Sequence, residues 1–325
     1  MPRGYYLGQG LIPLGYSSSD DDEGPCELPN GRIVCGPHGL VYCAKCCTDY
    51  SDMNDRLDDD DGNDDDGEED EASDVEQHEV SEPYVIPPGH PVPRVGVTGL
   101  GMVRGTGKVF PSKFVPSDSN KRPLEEFPRR HRHIEAIRRT HRNDLCKVLL
   151  MTDGACLSNG QADSRAGWAF FQGESIGLEP SVIKGRLEKR GPWGDEGSQT
   201  SNRAELRAVL AALRFRVWYG EGFDTIVIAT DSSYVVDGAT QWVQGWVKNA
   251  WRTKGRRGSG GAEVKNKDLW EALLGECERY HANGAAIQFW HIPREWNTLA
   301  DEGAKKGAAE EDAADQYADI EGMAF

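Results

Sequence analysis

Two short apolar runs, each closed by an aspartate, constrain this chain more than any other feature. Val148-Leu149-Leu150-Met151 is followed by Thr152-Asp153, and residues 225–230 are followed by Asp231. A strand with one wet face alternates apolar and polar residues. A strand apolar at successive positions must be covered on both faces, as in the interior of a helix-clad sheet. Each run therefore predicts a central strand with a carboxylate just past its apolar end. If the two strands are parallel neighbours, the carboxylates lie side by side at the sheet edge where ligands of such sheets bind.

The surrounding residues complete an α/β pattern. Residues 166–172 and 181–188 read as strands of an antiparallel meander. Leu206, Val209, Leu210, Leu213 and Val217 have helical spacing, which predicts a helix over 202–219. Two more helices, 266–282 and 298–309, flank a strand at 286–292. The expectation is a mixed five-stranded sheet flanked by helices, over residues 145–310.

Outside that span the chain changes character. Residues 1–25 read as irregular, 26–50 as a Cys-rich block, 51–142 as an acidic and then Pro/Gly-rich and basic linker, and 311–325 as a tail. Residues 48–82 hold 18 Asp/Glu and a single Arg56, which accounts for the entire net charge of −17. The acidic balance thus belongs to one stretch and does not exclude nucleic-acid binding elsewhere. Such a stretch reads as a solvated spacer; a sharper reading has it fold back on the basic residues of 242–257 and compete with substrate. Arg129 to Arg142 is a solvated linker, a basic contact or a nuclear-import patch. No run of about 18 apolar residues predicts a membrane span, and residues 1–19 do not read as a signal or transit peptide. Eight Cys without a secretory signal point to reduced thiols or metal ligands, so an intracellular protein, nuclear or cytoplasmic, is expected.

Within the Cys block, Cys35, His38, Cys43 and Cys46 have a spacing that one structural Zn²⁺ could satisfy. Reduced thiols without metal are the alternative.

Besides the two strand-end aspartates, Glu205 lies near the start of the predicted helix over 202–219, and Asp301 near the start of the last. Acids near helix starts complement the macrodipole; the strand-end pair is harder to explain so simply, because carboxylates beside buried apolar runs are costly unless paired or metal-bound. Four acids meeting at one edge would suit Mg²⁺ or Mn²⁺ rather than zinc, and two such ions suit phosphoryl chemistry.

The segments Thr152-Asp153-Gly154-Ala155-Cys156, Asn202-Arg203-Ala204-Glu205-Leu206, Thr230-Asp231-Ser232-Ser233-Tyr234 and Leu299-Ala300-Asp301-Glu302 resemble the four motifs of type 1 ribonuclease H, in order and with similar spacing. The resemblance spans roughly residues 147–309. It implies an Mg²⁺-dependent endonuclease for the RNA strand of RNA/DNA hybrids, with Asp153, Glu205, Asp231 and Asp301 as ligands of two ions. It also implies that Trp246 and Tyr234 line a DNA channel, that Thr200 and Asn266 form a pocket for a DNA phosphate, and that the stretch from Trp242 to Arg252, with Lys254, Arg256 and Arg257, is a basic protrusion. Asn159, Ser201 and Asn202 would read the RNA groove, whose 2′-hydroxyls distinguish it from DNA. Ser201 stands where many members have Asn. Many members also place a His in a loop before the last Asp; here the loop has none, His291 reads as a core residue of its strand, and Glu295 is the nearest stand-in. No small-molecule cofactor is called for, and a monomer is expected. A hybrid-binding protein of the same fold with weak or no catalysis is the alternative.

Overall fold

The computed structural model describes residues 101–133, 136–253 and 261–320, with five short strands before residue 50. Those strands are β1 (Ile12–Pro13), β2 (Pro25–Glu27), β3 (Ile33–Cys35), β4 (Tyr42–Cys43) and β5 (Thr48–Asp49). The side chains of Cys35, His38, Cys43 and Cys46, and most of the acidic stretch, lie outside the described residues, as do Lys254, Arg256 and Arg257.

The main sheet has eight strands rather than five. Its members are β6 (Ser112–Lys113), β7 (Arg129–His133), β8 (Ala136–His141), β9 (Asp144–Leu157), β10 (Arg165–Ser175), β11 (Pro180–Arg186), β12 (Thr225–Thr230) and β13 (Ala286–His291). The helices are α1 (Pro123–Glu126), α2 (Ser201–Arg214), α3 (Ser233–Asp237), α4 (Val243–Lys248), α5 (Lys267–Ala282) and α6 (Thr298–Ala309). A single π turn, Gly238–Trp242, joins α3 to α4. No helix of the described residues is long and apolar enough to cross a membrane.

The two apolar runs are indeed central. β9 and β12 are parallel neighbours, with Val148 opposite Ile226 and Met151 opposite Ala229, and β13 continues the parallel half. Val148 and Leu150 pack toward α2 and α5 with Ile226, Ile228 and Phe289. Leu149 and Met151 pack on the other face with Val227, Ala229 and Trp290. One expectation needs correction. Asp153 does not lie past the end of its strand, because β9 runs on to Leu157 in antiparallel pairing with β10, where Asp153 faces Ala169. Only the parallel partner stops there, so Asp153 sits inside β9 at the level where β12 gives out.

The linker reading of residues up to 142 is also corrected from residue 101 onward. Phe114 and Phe127 are buried on the second face of the sheet, each burial contributing about 2 kcal/mol. β8 wedges between β9 and β10 where they diverge, pairing with both. These apolar residues are too widely spaced among Pro, Gly and Ser to show periodicity, so their role emerges only on packing. The expected tail likewise docks from 314 to 319: Lys189 N–H donates to the Ala314 carbonyl, Arg207 to the Ala318 carbonyl, and Arg214 to both Asp319 carboxylate oxygens.

Candidate active site

The end of β12, the middle of β9, the start of α2 and the start of α6 meet at one place. Gly154 makes this approach possible: a Cβ there would stand 2.2 Å from the Glu205 backbone nitrogen, so only glycine lets α2 lie against β9 at Asp153. Asn297, which precedes α6, is fully buried and donates from Nδ2 to the Thr152 carbonyl at 2.9 Å and to Asp231 Oδ1 at 2.7 Å. It thereby ties the ends of the two apolar runs to the helix that carries Asp301. Ser232 caps α3, accepting from Val235 N–H, and its hydroxyl donates to Glu205.

The electrostatics record the convergence. Asp153 is buried and its carboxyl is pushed well above the usual carboxylate range, first by burial, then by repulsion from Asp231 and Glu205, with Arg294 opposing and Asp301 adding to it. Burial likewise pushes Glu205 up to about 8, against the Ser232 hydrogen bond and with Asp231 adding repulsion. Asp301 is held by Arg294 at 3.1 Å and Lys305 at 2.6 Å, and Arg294 comes within 4.0 Å of Asp231. Among the described residues no three His, Cys, Asp or Glu side chains are grouped so that they could hold a metal ion as they stand. The donor set nevertheless fits a hard cation: it is all oxygen, it carries mutually repelling charges, and the buried Asn297 Oδ1 beside it has no hydrogen-bond partner.

His291 is not the core residue expected from its strand. It is exposed, and a ring nitrogen lies 3.2 Å from the Asp231 carbonyl oxygen, because β13 ends level with β12 at the rim of the sheet.

The residues expected to contact nucleic acid flank the carboxylates. Thr200 caps α2, accepting from Arg203 N–H. Ser201 is fully buried and its hydroxyl accepts from Asn159 Nδ2 at 3.3 Å, so it positions Asn159 rather than facing solvent. Asn202 is buried beside it. Asn266 adopts a left-handed conformation (φ 55°), which asparagine tolerates, and donates to the Tyr234 hydroxyl at 3.3 Å; Trp270 Nε1 donates to the same oxygen at 3.2 Å. Trp246 is partly buried against Trp242 and Trp270, with ring centroids 5.9 and 5.4 Å apart. Trp242 and Trp251 pack, partly buried, against the core.

A cleft of about 690 Å³ opens beside this group, lined by Thr200, Asn202, Arg203, Asn266, Lys267 and Arg104 among others. Arg104 was invisible to sequence reasoning. It belongs to a segment that snaps onto α5, where Gly105 N–H donates to the Glu271 carbonyl and Thr106 and Lys108 N–H donate to the Glu278 carboxylate. Its guanidinium stacks 4.6 Å from the Trp193 ring and pairs with Glu271. Asn297 and Ser232 were also missed. Ser232 had a visible signal, a hydroxyl residue at a helix start; Asn297 had only the generic one of an asparagine before a helix.

A family model described as RNase H matches residues 146–309. Human ribonuclease H1 is 36% identical over 167 residues, 49% of this chain and 50% of the human protein. Ribonuclease H of Paracoccus denitrificans (strain Pd 1222) is 36% identical over 158 residues, 49% of this chain and 90% of the bacterial protein. The match thus covers half the length of the human relative. Among solved structures, RNase H1 of the halophilic archaeon Halobacterium salinarum NRC-1 is similar over 50% of this chain and 96% of that one, at 21% identity and a TM-score of 0.31.

Proposed function

The chain belongs to the ribonuclease H family, and on that premise we propose that it is an endonuclease that hydrolyses the RNA strand of RNA/DNA hybrids with divalent metal. The observation that carries this reading is the pressure on Asp153, a buried carboxylate driven toward protonation by burial and by Asp231 and Glu205. Such an arrangement is costly in a structural role and useful for gathering cations.

Asp153, Glu205, Asp231 and Asp301 would hold two Mg²⁺ or Mn²⁺ ions. When bound, such ions stabilise charge on the phosphoryl oxygens and make bound water more acidic. The chain's own residues set the geometry. Asn297 orients Asp231 while fixing α6 to β9. Ser232 fixes the Glu205 carboxylate, and the Gly154 contact keeps α2 at the rim. Water attacks the phosphodiester, the ribose 3′-oxygen leaves with a proton, and the 5′ phosphate stays on the downstream fragment. Asn159 and Asn202, beside the start of α2, would reach 2′-hydroxyls, while Thr200 and Asn266, with Tyr234 and Trp246, would hold the DNA strand.

A second reading, a hybrid-binding protein of low turnover, draws on Arg294, which already bridges toward Asp231 and Asp301. One experiment separates the two. Labelled RNA/DNA hybrid, duplex RNA and duplex DNA are incubated with Mg²⁺ and wild type or Asp231→Asn. Cutting of the hybrid alone, lost in Asp231→Asn, is expected. Binding of hybrid without cutting, with cutting gained in Arg294→Ala, would favour the second reading. Absence of both binding and cutting would reject both.

A further inference from the structure

Residues 129–142 are neither a linker nor an extended basic signal but an antiparallel hairpin, β7 against β8. The inner strand and its end place their cations against carboxylates. Arg138 is buried 4.8 Å from the centre of the Trp218 ring and donates to Glu221 and Gln172; Arg139 pairs with Glu174, and Arg142 lies 3.4 Å from Glu126. The outer strand is different. Arg129, Arg130, His131 and Arg132 are exposed, and among the described residues β7 pairs only with β8. Arg130 stands directly opposite Arg139, and His131 opposite Arg138. Of the hairpin's six arginines four reach carboxylates: Arg130 and Arg139 share Glu174, Arg138 pairs with Glu221, and Arg142 with Glu126. Arg132 has no hydrogen-bond or ion-pair partner among the described residues.

Like charges facing each other across a hairpin weaken it. A cation or two on an edge strand would suffice to discourage edge-to-edge association; three exposed arginines opposite a second basic strand exceed that need. The surplus suits a polyanion. β8 joins β9 at Val148, five residues before Asp153, a distance of about 17 Å along the strand, so one duplex could lie over both.

We propose that the outer strand, through Arg129, Arg130 and Arg132, is a second, sequence-independent contact for the phosphate backbone of a nucleic-acid duplex, engaged when the hybrid extends beyond the carboxylates. This rests on the hybrid-cutting reading above. The contact is electrostatic and releases counterions, so it is read from salt dependence.

The test uses the full chain carrying Asp231→Asn and a fluorescent hybrid several helical turns long, with affinity measured by anisotropy over a range of salt. R129A/R130A/R132A is expected to lower the slope of log affinity against log salt by about 2 to 3. R129K/R130K/R132K is expected to keep it, and all three proteins should bind alike to a hybrid too short to reach the hairpin. An unchanged slope on the long hybrid overturns the proposal and leaves the strand to another occupant, the chain's own acidic stretch first. Equal losses in the Ala and Lys variants overturn it too, because they would mean a structural role. Hybrid cleavage by wild type is measured in parallel: a chain that cuts hybrids yet shows no change in slope sinks the hairpin contact alone.

Discussion

The sheet carries opposite charge at its two ends. Where β12 ends, four carboxylates meet with Arg294 and Lys305 as their cations; at the β7–β8 hairpin, six guanidiniums stand near three carboxylates, which pair with four of them. The two ends differ in how the imbalance is held. The acidic end is enclosed, and burial first, then repulsion, drives Asp153 and Glu205 toward protonation. At the basic end the surplus is exposed to water, while the buried partners are well matched. Burial alone would raise the Glu221 carboxyl, but Arg138 and then Arg216 outweigh it and hold it below the ordinary value. An enclosed excess calls for a small ion that fits among the groups, whereas an exposed one suits an extended partner.

The comparison is broken most directly at Asp153. Asp153→Asn should slow hybrid hydrolysis by about 10³-fold, as loss of a group that organises transition-state charge does, while raising the thermal midpoint in metal-free buffer. A lower midpoint would mean that the acidic end is not under repulsion. At the basic end the expected sign is reversed. Arg138→Ala leaves the buried Glu221 side chain to Arg216 and empties the space over Trp218, and should cost about 3 kcal/mol in urea unfolding; a loss near zero would show that the inner strand of the hairpin bears little of the fold.

Titration sharpens the contrast. The folded Glu205 holds its proton up to about 8 against an ordinary value of 4.5, so stability from this group is present below about 4.5 and is lost as pH rises through about 8. Glu221 is held below 4.5; its contribution is present above that value and is lost as pH falls below it. In metal-free melts, Glu205→Gln should therefore gain on wild type as pH rises. Glu221→Gln should fall behind wild type at neutral pH and draw level in acid. Parallel curves for the two variants would remove the distinction between the ends. The smallest effect is expected at Arg104, half exposed and already paired with Glu271: Arg104→Ala should weaken hybrid binding about two- to fivefold, measured by anisotropy. No change would confine the cleft's grip to the family-matched residues.

How much of this was legible beforehand depended on range. Uninterrupted apolar runs revealed β9 and β12, because burial on both faces leaves no place for a polar residue. The helical spacing of Leu206, Val209, Leu210 and Leu213 revealed α2, although the helix stops at Arg214 and a separate turn carries Trp218. The four carboxylates were legible through their motifs. Phe114 and Phe127 were not, since isolated aromatics among Pro and Gly show no period, and neither were the partners of Arg138.

By itself the sequence determined the central strands, the helix faces and the identity of the acids, because these follow from local periodicity and residue chemistry. Only the tertiary structure decided that Asp153 lies inside a strand, that Asn297 ties the three elements of the site together, and that the basic stretch forms a hairpin with an exposed cationic edge. Each of those depends on which distant segments pack together. That choice is made by covering a whole sheet at once, and no local pattern records it.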